Sequence, residues 1–430
     1  MPAERLLQYL WQHRLCEPCD MRTADGRPLQ IIDPGRLNTD AGPDFFNAKI
    51  EIDGRVWAGN VEIHVRASDW RRHRHHLDAA YDSVILHVVG ENDLQVCRAD
   101  GSPIPTFVMP YTADYRARYD ALVDDPSRLP CMAELSRIDT IYVTDWVTAL
   151  GYERLYAKSD RVGRYLERLG GDWLSAAYVT LARALGFSTN SDAFERLAFA
   201  TPLRAMLKHR GDMASVEGLL FGQAGFLDAD CADEGDRSYV EALRREYEFM
   251  CRKYGIASPG TLGWRMARMR PPNFPHRRVA LLAALINGSF EFGRQFAHIR
   301  TEDDARRLLQ TELQGYWVNH YTFGGAAACA PRALSADSLR SLMINAVVPL
   351  LYAYGLQCGS DTHCAAAVDL LERLQPEHNS VVAVFTDAGI ACDNAFASQA
   401  LIQLRREYCE PRKCLYCRLG HRILASKARP

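Results

Sequence analysis

The sequence predicts an α+β protein that is mainly α-helical, and three of its features carry that prediction. In residues 1–130, apolar and polar side chains alternate between turn signals, which is typical of half-buried strands in an α/β domain. In residues 131–400, apolar side chains recur every three or four positions, which predicts a helical domain. Residues 401–430 hold closely spaced cysteines, which predict a metal-binding tail packed on the helical domain.

The composition is that of a globular protein, with 48% hydrophobic and 24% charged residues among 430. A formal net charge of -2 gives no overall attraction to nucleic acid, so such a partner would have to use a local basic patch. No run approaches the ~18 apolar residues of a membrane span, and charges interrupt the N-terminus where a signal peptide is apolar. We therefore expect a cytoplasmic protein without a membrane partner, and the oligomeric state is left open.

The α/β domain is predicted to begin with a helix over residues 3–14, because its apolar side chains have helical spacing. A short strand ends at Asp33-Pro34-Gly35, and an alternating strand then leads to Asp53-Gly54, a strong hairpin signal. The returning strand is followed by a short helix or a loop at Ser68-Asp69, and residues 81–89 form a buried central strand. The predicted order is helix, strand, hairpin, helix or loop, strand.

The hairpin carries the residues on which the functional prediction depends. Asp44 and Glu62 lie at its two ends, and His64 follows two positions after Glu62. Carboxylate oxygens are the ligands that Mg²⁺ prefers, and a bound cation activates water and stabilises charge on a phosphate. Histidine titrates near neutral pH and can act as a general base. The alternative is that these residues have only a structural role, because Gly-Pro-Asp turns are commonplace and the solvent-facing sides of strands often carry Glu and His.

This prediction makes a geometric demand on the hairpin. With a two-residue turn at Asp53-Gly54, Asp44 pairs with Ile63. Cross-strand partners share a face and successive side chains alternate, so Asp44 would point away from Glu62 and His64. A one-residue bulge near Pro43, or a longer turn, is needed to bring the two acids together.

A basic, histidine-rich run follows the hairpin and could serve it. The run is Arg71 to His76, in which Arg71, Arg72, His73 and His75 are predicted to contact backbone phosphates. The alternative is a solvated basic loop. A histidine within the central strand, His87, is expected to be a core residue. A different prediction is that His73, His75 and His87 together bind the metal of another kind of hydrolase.

The helical region contains one rigid polar segment, Arg270 to Arg278, in which three prolines exclude a helix. The helix after it would present Arg277 and Arg278 at its start, where cations oppose the helix dipole. That cost indicates a partner, either a phosphate or an internal carboxylate, so Arg270, Arg277 and Arg278 are predicted to bind substrate. The alternative is an inter-helix loop with surface arginines.

The tail is the second informative stretch. Cys409, Cys414, Cys417 and His421 lie within 13 residues, a set that suits tetrahedral Zn²⁺. An iron–sulfur cluster is the alternative, and His421 favours zinc. Most of the other cysteines among the thirteen stand singly, which indicates a reducing compartment rather than a disulfide framework. Cys16 and Cys19 form a further pair that is expected to be a surface turn.

The order of predicted elements resembles the PD-(D/E)XK nuclease superfamily, whose core is that of restriction endonucleases. Pro43-Asp44 would be its first acidic element, and Glu62-Ile63-His64 would be its acid-x-lysine element, with His64 in place of lysine. The resemblance implies that Asp44, Glu62 and the Ile63 carbonyl hold Mg²⁺ or Mn²⁺ and that His64 orients or activates water. It also implies that Glu4 could supply an extra acid.

The hairpin, the Ser68-to-His75 run, the Arg270-to-Arg278 segment and the cysteine tail, in this order, resemble an uncharacterised bacterial family, domain of unknown function 2851. That resemblance implies one architecture but no activity. The leading hypothesis is a Mg²⁺-dependent nuclease acting on DNA or RNA. The alternatives are a non-catalytic scaffold that binds nucleic acid or protein, and the histidine-based metal hydrolase.

Overall fold

A computed structural model provides the structure of this protein. It describes residues 4–15, 20–38, 40–110, 113–125, 127, 129–267, 269–328 and 330–425. The chain forms two compact units, which are described separately. The first unit is built from Met1–Trp146 together with Arg405–Pro430, and the second is Val147–Leu404. The segment from Arg405 onward is therefore part of the first unit rather than a separate tail.

The first unit contains a mixed sheet and a few helices. Its strands are β1 (Leu29–Asp33), β2 (Arg36–Leu37), β3 (Phe45–Ile52), β4 (Arg55–Arg66), β5 (Val84–Glu91) and β6 (Thr106–Val108). Its helices in the first stretch of chain are α1 (Glu4–Gln12), α2 (Asp69–Arg72), α3 (Ala113–Val123), α4 (Met132–Leu135) and the start of α5 (Thr140–Arg168). Two 3₁₀ turns, His75–Leu77 and Ala79–Tyr81, separate α2 from β5.

The sheet order is β1-β3-β4-β5-β6, with β2 also paired to β3. Strands β1, β3 and β4 are antiparallel, whereas β4, β5 and β6 are parallel. The predicted hairpin is present, since Ile52 pairs with Arg55 across Asp53-Gly54. Both turn residues have positive φ, 53° and 73°, as a tight hairpin turn requires.

The two faces of this sheet have different roles. One face packs against α1, whose Leu6, Leu7, Leu10 and Trp11 are fully buried in a core shared with Ile63 and its neighbours. Side chains alternate along a strand, so the residues between those core positions point to the other face. That second face carries Glu62, His64 and His87, beside a smaller apolar cluster that includes Trp70 and Tyr81.

The second unit is almost entirely helical around one large apolar core, as the spacing of its apolar residues predicts. Its helices after α5 are α6 (Trp173–Leu185), α7 (Ser191–Ala200), α8 (Leu203–Leu207), α9 (Met213–Gln223), α10 (Glu234–Tyr254), α11 (Pro275–Asn287), α12 (Glu291–Gln295), α13 (Glu302–Leu309), α14 (Ala336–Leu342), α15 (Val348–Cys358), α16 (Asp361–Arg373), α17 (Ser380–Asp387) and α18 (Ala395–Gln403). A small ribbon is formed by β7 (His320–Thr322) and β8 (Gly325–Ala326).

One helical stretch, Ala336–Cys358, consists of α14, a π-helix over Met343–Val347, and α15. By length and composition alone it could cross a membrane, and it is the one such helix in the described part of the chain. Within the protein, 67% of its most apolar window is buried, as in the central helix of a globular core. The expected absence of a membrane partner stays a prediction.

The C-terminal segment completes the first unit. It runs through a π-helix at Leu404–Cys409, a 3₁₀ turn at Cys414–Tyr416 and the helix α19 (Arg418–Ala425). Leu415, Ile423 and Leu424 join the core on the α1 face of the sheet. The core of the first unit therefore contains side chains from both ends of the chain.

A buried acid in the helical unit makes its stability depend on pH. Glu217 on α9 is 6% exposed, and Tyr239 Oη donates a 2.6 Å hydrogen bond to its Oε2. Burial raises the pKa of Glu217 to about 7. The native carboxyl therefore keeps a proton that the unfolded chain loses near pH 4.5, so stability falls as pH rises from there to about 7.

We predict that Glu217→Gln removes this dependence, because the amide stays neutral and can still accept from Tyr239. Between pH 4 and pH 8, the free energy of unfolding of the unmodified protein should fall by on the order of 3 kcal/mol relative to that of Glu217→Gln. Denaturant unfolding at several pH values measures it. Glu241→Gln, at an exposed position of α10, is the matched control. Equal pH profiles for the two variants would contradict a buried, protonated Glu217.

Candidate metal centre

The site begins with a bulge in β3. Ala48 pairs with Gly59 but Phe45 pairs with Val61, so β3 contains one extra residue between these pairs. Asn47 takes up the extra length with a left-handed φ of 57°, a conformation that asparagine adopts more readily than most residues. The bulge required by the sequence is therefore present, three residues after Asp44 rather than near Pro43.

The bulge brings Asp44 to Glu62. The backbone N–H of Asp44 donates a 3.0 Å hydrogen bond to Glu62 Oε2. The Asp44 carboxylate in turn accepts from the Ile63 backbone N–H and from Gln8 Nε2 on α1, both at 2.9 Å. These contacts fix the two acids beside each other at the point where α1 crosses the sheet.

Two histidines contact Glu62, and a third contacts one of them. Its Oε1 lies 3.4 Å from His64 Nε2 and 3.2 Å from His75 Nε2, and His64 Nε2 lies 3.2 Å from His73 Nδ1. The ligand atoms of His64, His73 and His75 are all within 4.8 Å of one another. We call Glu62, His64, His73 and His75 the His/Glu cluster.

Local structure explains how closely spaced residues meet there. Glu62 and His64 are two positions apart on β4, so they share its second face. His73 ends α2 and His75 begins the next 3₁₀ turn, and the residue between them, Arg74, has a left-handed φ of 64°. This reversal turns both imidazoles toward the strand. Tyr81 holds His75 in place, with the two rings stacked 3.8 Å apart.

The spacing fits one metal ion. Ligands at 2.0–2.2 Å from a metal stand about 3–3.5 Å from their neighbours, and the three measured distances lie in that range. Metal at His64 Nε2 requires the proton of this ring on Nδ1, which lies 2.8 Å from His87 Nε2. His87 would then orient a ligand, as partners of metal-bound histidines commonly do. Three nitrogens and one oxygen suit Zn²⁺ or Mn²⁺ better than Mg²⁺.

Burial shifts the titration of the whole group. It raises the pKa of Glu62 to about 8, and together with the Glu62 charge it raises the pKa of Asp44 to about 7. Burial and the neighbouring histidines lower the pKa of His64 to about 2. Burial and Asp44 also raise the pKa of Glu4. Burial thus disfavours the charged forms of Asp44, Glu62 and His64 in the absence of a cation.

The members of the cluster differ in exposure. His64 is 1% exposed and Glu62 is 5% exposed, whereas His73 is an exposed residue. Arg71 and Arg72, which precede His73 in the chain, are also exposed, and Arg72 Nη2 bonds Asp69 Oδ1 at 2.9 Å. That these arginines contact phosphates stays a prediction.

The structure gives two arginines of the helical unit internal partners. Arg277 is 2% exposed and donates to the backbone carbonyls of Trp317 and His320, at 2.8 and 2.7 Å. Arg278 is 4% exposed, bonds Asn273 Oδ1 at 2.6 Å and stacks on Phe187. The partners that offset the helix dipole are therefore internal, which disfavours the predicted contact of these two arginines with substrate. Arg270 is exposed, and its role stays a prediction.

The tail cysteines have a partner that the sequence did not indicate. Cys131, at the start of α4, is an electrostatic neighbour of Cys409, Cys414 and Cys417. His421, the expected fourth ligand, instead has Nδ1 2.6 Å from Tyr9 Oη and packs on the His13 ring. The pair Cys16 and Cys19 lies outside the described residues. An isolated cysteine this far from the tail has no local spacing to mark it as a ligand.

The fold and the cluster define an α+β protein with three histidines and a carboxylate gathered on one face of a mixed sheet. The chain belongs to the family described as protein of unknown function (DUF2851), whose sequence model matches residues 4–380. No curated protein and no solved structure matches the chain. The family named from the motifs is thereby confirmed, and membership carries no activity.

We predict that the left-handed backbone at Asn47 controls which substitutions β3 tolerates. Asn47→Gly should be neutral, because glycine adopts positive φ freely, whereas Asn47→Val should cost about 1–3 kcal/mol. Denaturant unfolding measures the difference. Lys49→Val, at an exposed position in regular strand conformation, is the control and should cost little. Equal losses at positions 47 and 49 would rule out the bulge.

Proposed function

We propose that the first unit is a metal-dependent phosphodiesterase that acts on nucleic acid, with one Zn²⁺ or Mn²⁺ held by Glu62, His64, His73 and His75. The grouping of the ligand atoms of His64, His73 and His75 within 4.8 Å of one another carries the proposal, together with the contacts of Glu62 with two of them. It combines the nuclease hypothesis with the histidine-based hydrolase hypothesis. Three of the four proposed ligands are imidazole nitrogens. The proposed metal is therefore one that favours imidazole, in place of the Mg²⁺ expected at Asp44 and Glu62.

Two further observations favour phosphodiesters over other hydrolysable substrates. Arg71 and Arg72 are exposed and directly precede His73 in the chain, so they are available to contact backbone phosphates. The elements α1, β1, β3, β4, α2 and β5 follow one another in the order that the nuclease resemblance implies, with antiparallel pairing up to β4 and parallel pairing to β5. Both support the proposal.

Different residues of the chain would have different roles in the hydrolysis. A bound divalent cation would supply a more acidic water and stabilise charge on the phosphate. Asp44 is the group placed to accept a proton, because its carboxylate lies beside Glu62 and is not one of the proposed ligands. His64 is not available as a base when its Nε2 binds the metal and its Nδ1 holds the proton, so the role expected for His64 moves to Asp44. Arg71 and Arg72 would bind phosphates.

We predict stoichiometric Mn²⁺ binding by the full chain, lost in His73→Ala, His75→Ala and Glu62→Gln. Mn²⁺ is chosen because it prefers oxygen and nitrogen to thiolate, so the cysteines do not interfere. Electron paramagnetic resonance of free Mn²⁺ gives the bound fraction. His76→Ala is the matched control, because His76 is adjacent in sequence and is not a member of the cluster. Mn²⁺ binding that is kept in His75→Ala and in Glu62→Gln would contradict the proposed ligand set.

We predict that the metal-loaded protein hydrolyses single- or double-stranded nucleic acid and a small aryl phosphodiester. Asp44→Asn should lower kcat by about 10²–10⁴ while metal content is kept, because the amide cannot accept the proton of the attacking water. Arg71→Ala with Arg72→Ala should raise KM for nucleic acid and leave the small diester unaffected, since only the polymer reaches the loop.

The hydrolysis rates of the His76→Ala control are measured in parallel and should equal those of the unmodified protein. If the metal binds but neither substrate is cleaved, the phosphodiesterase proposal fails and the scaffold alternative replaces it. Cleavage that is unchanged in Glu62→Gln would show a contaminating nuclease.

A further inference from the structure

A cavity of about 660 Å³ lies beside α1 in the first unit. Its walls are formed by α1, the first turns of α5, the 3₁₀ turn at Cys414–Tyr416 and α19. The described lining of this cavity includes no member of the His/Glu cluster, so the two are separate features of the same unit. Small-molecule sites commonly have volumes of about 300–1,000 Å³. We call this cavity the α1/α19 pocket.

Two helices line the pocket with residues at helical spacing. These residues are Arg5, Gln8, Tyr9 and Gln12 on α1, and Arg418, His421 and Arg422 on α19. Side chains three and four positions apart share one face of a helix. The core residues of the same helices, among them Leu10 and Leu424, pack beside the sheet. Each helix therefore packs on the core with one face and lines the cavity with another.

Ring side chains form part of the pocket wall. His421 Nδ1 lies 2.6 Å from Tyr9 Oη, and the centroid of the His421 ring lies 4.6 Å from that of His13. Burial lowers the pKa of both histidines, so at neutral pH their rings are an uncharged aromatic surface. Tyr416 is a further lining ring and is 56% exposed. Such rings stack on nucleobases and tolerate different bases, because every base has a π-face.

The charged groups of the pocket are mainly cations. Three guanidinium groups and one carboxylate line it, namely those of Arg5, Arg418, Arg422 and Asp145. Arg418 is paired with Asp145. Among the described residues, no carboxylate forms an ion pair with Arg5 or Arg422, and the Arg422 guanidinium lies 3.5 Å from the centroid of the Tyr142 ring. Two cations therefore line the cavity without a carboxylate partner in the described part of the chain.

We propose that the α1/α19 pocket binds a free mononucleotide, whose base stacks on the lining rings and whose phosphate binds Arg5 and Arg422. A phosphate monoester carries about two negative charges at neutral pH, which matches the two guanidinium groups without a carboxylate partner. Arginine suits this role because its planar fork of N–H donors fits phosphate oxygens. The inference does not rest on the proposed hydrolytic function, since binding in this pocket requires neither the metal nor cleavage.

Calorimetric titration of the full chain without divalent metal tests the ligand class. The probes are the four ribonucleoside 5′-monophosphates, the corresponding nucleosides and inorganic phosphate. We expect one nucleotide per chain, with the nucleoside and inorganic phosphate each weaker by about tenfold or more, because each makes only part of the contacts. If none of the four nucleotides binds, or if inorganic phosphate or a nucleoside binds as tightly as its nucleotide, the proposal is wrong.

Substitutions of exposed arginines test the position of the ligand. Arg5→Ala and Arg422→Ala should each weaken nucleotide binding by about tenfold or more, because each removes a charged hydrogen-bond donor. Arg55→Ala is the matched control, at an exposed position of β4 outside the pocket, and should keep the affinity. The double variant Arg71→Ala with Arg72→Ala should keep it as well. Affinity lost in the double variant but kept in Arg422→Ala would place the nucleotide near the His/Glu cluster and contradict the proposal.

Photolabelling locates the ligand in the unmodified protein, so the result does not depend on the folding of any variant. An azido derivative of the tightest-binding nucleotide is irradiated with the full chain, and labelled peptides are identified by mass spectrometry. We expect labels on peptides that contain Tyr9, Tyr142 or Tyr416, and an excess of the unmodified nucleotide should prevent them. Labels confined to residues 62–87 would overturn the proposal, and they would leave the phosphodiesterase proposal standing.

Discussion

One backbone hydrogen bond, from the Asp44 N–H to the Glu62 carboxylate, sets the geometry of the candidate site. It exists because β3 contains one residue more than β4 requires, and Asn47 absorbs that residue in a left-handed conformation. Without the extra residue, a regular register would place Asp44 opposite Ile63 rather than beside Glu62. A bulge that costs little in one strand thus decides whether two acids act as a pair.

The pairing is electrostatically unfavourable in the absence of a cation. Asp44 and Glu62 have raised pKa values and His64 has a lowered one, each mainly because of burial. A fold selected only for stability would replace these groups by apolar side chains, since buried charges are costly even when paired. Their presence next to the fully buried Trp70 is the physical reason for proposing that they bind a cation.

Much of the first unit could be predicted from sequence because its signals are local. The Asp53-Gly54 turn, the alternation in β3 and β4 and the helical spacing in α1 each determine their own element. The need for a bulge also followed from register, but its position at Asn47 did not, because asparagine is equally ordinary in a regular strand.

The meeting of His73 and His75 with Glu62 depended on a left-handed Arg74 that no pattern signals. Cys131 and the internal partners of Arg277 are long-range features, and a single sequence carries no spacing that reveals them.

The division of the first unit into two stretches of chain imposes an order on biosynthesis. The helical unit is a continuous segment, so it can fold on the ribosome as soon as it has emerged. The sheet unit must wait for its last helix, because Ile423 and Leu424 fill part of its core. Until α19 has been synthesised, the part of this core that Ile423 and Leu424 fill stays uncovered in the nascent chain.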